Sequence, residues 1–132
     1  MPNNIKIGQI GEDLACQYLL NNEYEIIDRN YREKWGEVDV ICKNRDGVLV
    51  FVEVKTLRKS DFLNPEENLH PTKLKKVKRT AYLYANSHPE LINDNKGWQI
   101  DLIAVEINCE NLESLATKEL LKYCQMRHYE NI

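Results

Sequence analysis

The sequence predicts an α/β domain, a central sheet with helices packed against it, and three observations carry that reading. The first is a helical period near the start, with Ile7, Ile10, Leu14 and Tyr18 at i, i+3, i+7 and i+11. The second is a set of strand-length runs in the first half of the chain, two of them joined across an Asp-Gly turn. The third is a lysine-rich stretch of helical period that separates those runs from another apolar run at residues 98–107. The expected order is helix, three strands, helix, strand.

The first helix is expected to end near Asn21-Asn22. Glu12 flanks its apolar stripe on the side that carries Gly8 and Ala15, small residues that let a helix approach a sheet and bring Glu12 to its edge. A first-turn glutamate favoured by the helix dipole is the plainer reading. Residues 24–31 read as the first strand, followed by a turn around Lys34-Trp35-Gly36. The second strand begins at Gly36, and Asp46-Gly47 marks the hairpin that leads to the third. Residues 56–70 form a polar connection containing Phe62 and Pro65, of a length that is usually functional or mobile. Pro71 suits a helix start, and Leu74, Val77, Ala81 and Tyr84 supply its buried stripe. Residues 89–97 break the period before the fourth strand. The tail holds a weakly helical stretch at 112–123 and an ending without a pattern. One domain is expected over 1–132, with a core at about 5–107 and a C-terminal extension from 108.

Chemistry concentrates in the second and third strands. Gly36-Glu37-Val38-Asp39-Val40-Ile41 and Val50-Phe51-Val52-Glu53-Val54-Lys55 place charges inside runs that otherwise read as buried. Such charges are costly unless paired or bound to a metal. Alternation puts Leu49, Phe51, Glu53 and Lys55 on one face and Val48, Val50, Val52 and Val54 on the other. Glu37, Asp39 and Ile41 are expected to share a face, and a tight hairpin sets Asp39 opposite Glu53 to within one residue. A cross-strand ion-pair ladder on a wet surface is the alternative, but Leu49 and Phe51 make that face too apolar. Two carboxylates held together repel and raise each other's pKa, a penalty that a divalent cation reverses. Asp39, Glu53 and the backbone carbonyl of Val54 form the half-open oxygen set that suits Mg²⁺ or Mn²⁺. A metal there can activate water for attack on a phosphodiester, with Lys55 orienting that water or stabilising the transition state.

Composition narrows the class. With 132 residues, 42% hydrophobic and 30% charged, the chain fits one globular domain. No apolar run reaches the length of a membrane span, and the start lacks a signal-peptide core, so a cytoplasmic location is expected. Cys16, Cys42, Cys109 and Cys124 form no close pairs and read as reduced, buried thiols. His70, His88 and His128 are isolated and are expected on the surface or in loops. The net charge of −3 disfavours a uniformly basic nucleic-acid binder. Between Lys55 and Arg79, however, eight Lys/Arg face three Asp/Glu, densest at Lys73-Leu74-Lys75-Lys76-Val77-Lys78-Arg79. That is either a phosphate-binding patch or a solvated helix face.

The element order, with an aspartate on the second strand and Glu-x-Lys on the third, resembles the PD-(D/E)xK nuclease superfamily. More closely, the chain resembles the YraN family of bacterial proteins. The match rests on Gly11-Glu12 with Ala15 and Leu19, Arg29-Asn30-Tyr31-Arg32, and the Gly36–Ile41 and Val50–Lys55 runs. It continues through Lys73, Ala81 and Asp101-Leu102-Ile103-Ala104-Val105. The resemblance implies a restriction endonuclease-like α/β/α sandwich with a mixed central sheet and αβββαβ core order. It also implies that Glu12, Asp39, Glu53 and Lys55 are catalytic, with metal held by Asp39, Glu53 and Val54. Val38 stands where the superfamily carries a proline before the aspartate, and Leu57 where relatives often carry an arginine. Arg58 is then the nearest phosphate contact, beside Arg32, Lys59, Lys73, Lys75 and Lys76 as candidate nucleic-acid contacts.

The expected function is therefore a Mg²⁺- or Mn²⁺-dependent phosphodiesterase acting on nucleic acid, chiefly structured or branched DNA. Symmetrical cutting of two strands would require two active sites and hence a homodimer. A binding module of the same fold that does not cut is the first alternative. A plain interaction domain whose carboxylates form structural ion pairs is the second.

Overall fold

The computed structural model describes residues 4–58, 70–93, 95–107 and 117–132. Helix α1 (Asn4–Asn21) leads through a short turn into strand β1 (Glu25–Glu33), then β2 (Gly36–Lys43) and β3 (Leu49–Arg58). Helix α2 (Pro71–Ser87), strand β4 (Trp98–Ile107), a one-turn helix α3 (Thr117–Leu120) and strand β5 (Cys124–Tyr129) complete the order. The five strands form one sheet in the order β1-β2-β3-β4-β5. The β3–β4 pair is parallel and the other three pairs are antiparallel. A parallel neighbour needs a crossover, and α2 supplies it.

Each face of the sheet carries its own core. Leu14, Ala15, Cys16 and Leu19 of α1 pack on Val40, Cys42, Val50, Val52, Ile103 and Val105. On the other face Val77, Ala81 and Tyr84 of α2 pack on Val38, Ile41, Leu49, Phe51 and Ile100. β4 lies between two paired strands, and its residues from Ile100 to Ile107 are buried, which explains a run too continuous for simple alternation. The hairpin turn closes at Asn44, whose side-chain oxygen accepts from the N–H groups of Asp46 and Val48. At the start of α2, His70 caps the helix by accepting from Thr72 N, and Pro71 occupies its first turn.

Several expectations need correction. The close approach of α1 to the sheet is made at Gly11, not Gly8. A Cβ on Gly11 would lie 1.7 Å from Thr56 Oγ1, whereas one on Gly8 would meet nothing. β3 continues to Arg58, so the connection after it starts later than its polar composition implies; residues 59–69, with Phe62 and Pro65, lie outside the described residues. The unpatterned ending is a fifth strand that covers the edge of β4. His128 on that strand is not isolated: its Nε2 lies 2.7 Å from Asp101 Oδ2, and its Nδ1 lies 3.1 Å from the Tyr18 hydroxyl. Cys16, Cys42 and Cys124 are free thiols, and Cys109 falls outside the described residues. No described helix is long and apolar enough to cross a membrane.

Candidate active site

The ladder between β2 and β3 runs from Lys43↔Leu49 to Val40↔Val52. One further step would set Asp39 against Glu53, but the pairing stops, and Asp39 Oδ2 instead accepts from the N–H of Val54 at 2.8 Å. Alternation is interrupted at the same place. Val38 and Ile41, three residues apart, join the core beneath α2, while Val40 joins the core beneath α1. Glu37, Asp39 and Ile41 therefore do not share one continuous face as strict alternation requires. Asp39 sits where β2 parts from β3, in reach of groups from both helical layers.

From the first layer comes Glu12. It hydrogen-bonds Asp39, and its carboxyl is pushed up to about 7 by burial first, then by the charge of Asp39 and that bond. Burial also raises Asp39, opposed by the Val54 N–H, by Lys73 and by the Glu12 bond. The bond raises Glu12 and lowers Asp39, so Glu12 keeps the shared proton and donates it. Asn30 supports this pair. It lies on β1 between Arg29↔Val40 and Tyr31↔Val38, opposite Asp39, with φ of 52°, a left-handed conformation that asparagine tolerates. With its amide oriented to donate, its nitrogen lies 3.0 Å from Glu12 Oε2. Arg29 next to it pairs with Asp13 at 2.6 Å and lowers the Glu12 pKa.

From the second layer comes Lys73. Its Nζ lies 2.5 Å from Glu53 Oε1, and the Glu53 side chain is 4% exposed. The other oxygen, Glu53 Oε2, is buried and has no hydrogen-bond partner among the described residues. Burial, then the charge of Asp39, pushes Glu53 up to about 7, against the pull of Lys73. Burial works against the Lys73 charge, but its bond to Glu53 and the surrounding carboxylates outweigh this and raise its pKa.

The structure thus brings Glu12, Asp39 and Glu53 into one acidic cleft, with Val54 as its backbone anchor. Lys55 lies two residues beyond Glu53 on β3, is exposed, and its side chain makes no hydrogen bond or ion pair among the described residues. The ammonium held against the acidic pair is that of Lys73, which sequence reasoning placed with the outer phosphate contacts. Its helical position twenty residues beyond Glu53 gave no local signal, and neither did the turn of Asn30 towards Glu12. Lys73 and Lys76 border a cleft beside the turn between β1 and β2, as does Arg32, which pairs with Glu37 at 3.5 Å. Lys75 is exposed but does not line that cleft. Lys59 and the side chain of Arg58 lie outside the described residues.

Among the described residues, a different group, Asp101, His128 and Glu130, brings one ligand atom each to within 4.8 Å of one another. Its geometry allows a metal ion, but its core is already satisfied. Asp101 Oδ1 accepts from Gln99 and from Asn131 N, each at 2.9 Å, and Oδ2 faces His128. With the proton on Nε2 towards Asp101, the other ring nitrogen accepts from Tyr18. The network ties β5 to β4 and α1.

Fold and site together define a five-stranded α/β protein with one buried and two partly buried carboxylates at the point where two strands part, flanked by cationic side chains from a helix. Residues 11–105 match the model of a family described as "Uncharacterised protein family UPF0102". A UPF0102 protein of Syntrophomonas wolfei is 44% identical over 86 residues, 65% of this chain and 74% of that protein. One of Alkaliphilus oremlandii is 39% identical over 104 residues, covering 79% and 87% respectively, and one of Flavobacterium johnsoniae is 31% identical over 111, covering 84% and 89%. The chain belongs to the UPF0102, or YraN, family.

Proposed function

We propose that this protein is a metal-dependent phosphodiesterase that acts on nucleic acid, with structured or branched DNA as its chief substrate and a restriction endonuclease-like fold as its frame. One observation carries the reading: Glu53 Oε2 is a buried carboxylate oxygen without a partner among the described residues, on a residue whose charge is opposed by that of Asp39. A desolvated oxygen of this kind is costly unless a cation completes it. The ligands we assign are all oxygens, from Asp39, Glu53 and the Val54 carbonyl, and that set suits Mg²⁺ or Mn²⁺. Such an ion supplies Lewis-acid activation of water and neutralises charge on the phosphate.

The chain's own groups divide the remaining work. Val54 N–H fixes the rotamer of Asp39. Glu12, carrying a proton near neutral pH and steadied by Asn30, can release it or take one up beside Asp39. Lys55, exposed two residues beyond Glu53 on β3, orients water or stabilises the transition state, while Lys73 balances Glu53 and meets phosphate. Lys76 and Arg32, with Arg58, Lys59 and Lys75 further out, position the strand. The Lys73–Glu53 pair also favours a second reading, a nucleic-acid-binding module that does not cut, because an ammonium already neutralises one carboxylate there.

The experiment is to incubate the protein with labelled single-stranded, duplex and branched DNA and RNA in Mg²⁺, Mn²⁺ or EDTA. Cleavage that EDTA stops and Asp39→Asn abolishes is expected. Removing the charged group of Lys55 with Lys55→Ala should slow cutting by about 10²–10³-fold with far less effect on binding. Tight binding by the wild type without cleavage in either metal would establish the module instead.

A further inference from the structure

Beside the acidic cleft lies a hollow of about 650 Å³ between the β1–β2 turn and the first turns of α2. That volume falls within the range of about 300–1,000 Å³ typical of sites for small ligands. Trp35 at the tip of the turn lines it and is 38% exposed. The charged groups around it are unbalanced towards the positive, with Arg32, Lys34, Lys73 and Lys76 against two glutamates. Groups of both signs are engaged: Glu37 pairs with Arg32 at 3.5 Å, Lys73 pairs with Glu53, and Glu33 accepts from the Tyr31 hydroxyl at 3.1 Å.

The turn is held in place by close packing. A Cβ on Gly36 would lie 2.4 Å from Thr80 Oγ1 and 3.3 Å from the Lys76 carbonyl, so only glycine lets the turn rest on α2. This contact sets Trp35 opposite the helix face that carries Lys73 and Lys76. Lys73 connects the hollow to the acidic cleft, since its ammonium meets Glu53 at 2.5 Å.

We propose that this hollow is a binding site for one unpaired nucleotide, its base stacked on Trp35 and its phosphates met by Lys76, Lys34 and Arg32. An aromatic face takes any base without sequence preference, while cations track the backbone. In a continuous duplex each base is stacked on its neighbours and unavailable to Trp35. The proposal rests on the nucleic-acid reading above and sharpens it: the chain selects nucleic acid with a flap, a splayed end or a single-stranded segment next to the bond presented to Glu53.

The test measures equilibrium binding of the full chain to a dT oligomer, an rU oligomer, a splayed-arm duplex and a blunt duplex of matched length. The wild type is expected to favour the first three over the blunt duplex. Trp35→Ala should lose about 5- to 150-fold in affinity for the unpaired substrates with little change for the duplex, and Trp35→Phe should retain most of the preference. In a Trp98→Phe background the remaining Trp35 emission should be quenched as the oligomer binds. An unchanged ratio of unpaired to duplex affinity in Trp35→Ala, or emission unmoved at saturation, overturns the site. If the ratio is unchanged while metal-dependent cleavage persists, the site falls and the phosphodiesterase reading stands. A Trp35-dependent preference in a protein that never cuts supports the site and overturns catalysis, and absence of nucleic-acid binding overturns both. Comparing the dT and rU arms separates DNA from RNA.

Discussion

At the scale of single residues, the carboxylates of the cleft are held under electrostatic tension. Glu53 is pushed up to about 7 from an ordinary 4.5, chiefly by burial. A native pKa above the unfolded one means that the folded state binds extra protons between those two values, so this contribution to stability is present at low pH and is lost as pH rises towards 7. In EDTA, the difference in melting temperature between Glu53→Gln and wild type should therefore grow from pH 5 to pH 8 in favour of the variant. The expected size is about 2–3 kcal/mol, or roughly 6–15 °C for a domain of this length. Thermal melts at the two pH values check it, and a constant difference would mean that Glu53 titrates normally. Millimolar Mg²⁺ at pH 8 should restore the wild type but not Glu53→Gln or Asp39→Asn, because an ion that binds only the folded site stabilises it by mass action. Lys73→Ala should act in the opposite sense, deepening the pH 8 loss by leaving Glu53 uncompensated.

At the scale of elements, the acidic cleft depends on how closely α1 lies on β3. Thr56 Oγ1 occupies the space where a Cβ on residue 11 would stand, and Glu12 is the next residue along that contact. Gly11→Ala is expected to destabilise by about 1–3 kcal/mol, as overpacking does, in spite of alanine's better helix propensity. Thr56→Ala in the same chain should recover only part of the loss, since Thr56 Cβ would still lie 2.8 Å away. Urea unfolding of the two single variants and the double variant measures this; full additivity would mean that the helix shifts freely. Local pattern made the elements themselves legible: the period of α1, the Asp-Gly hairpin and the stripe of α2 are each written in adjacent residues. The pairing Val40↔Val52 stops one step short of the Asp39/Glu53 opposition that turn length implies. What stayed hidden depends on distant partners. Asn30 gains its place from a left-handed turn within a strand, Gly11 from a threonine 45 positions away, and β5 from Asp101 and Tyr18, which give His128 its bonds. No periodicity within 124–129 encodes those contacts.

At the scale of the whole molecule, a net charge of −3 must coexist with a surface that can accept phosphate. The resolution lies in which lysines of α2 face the cleft. Val77, Thr80, Ala81, Tyr84 and Ala85 face the core; Lys73 and Lys76 flank that stripe and line the hollow, whereas Lys75 does not. The sequence exposed the charge run but not this division, because a helix wheel needs the position of the neighbouring turn to say which flank meets a ligand. A cation that contacts phosphate releases about 0.9 counterion from duplex DNA, and about 0.7 from a single strand, on binding. Lys76→Ala should thus weaken binding and make the slope of log K against log salt shallower by about that amount, uniformly across sequences. Lys75→Ala changes the net charge equally but removes no contact. Its effect should be a smaller loss in association rate, felt at low salt and screened as ionic strength rises past the Debye regime, with the slope nearly unchanged. Both side chains are exposed, so melting temperatures should match wild type and exclude a folding effect. Salt titrations of equilibrium binding for the two variants decide the matter. Equal changes in slope would show that α2 acts through bulk charge alone, and that its cleft-facing flank is no more a phosphate site than the rest of its surface.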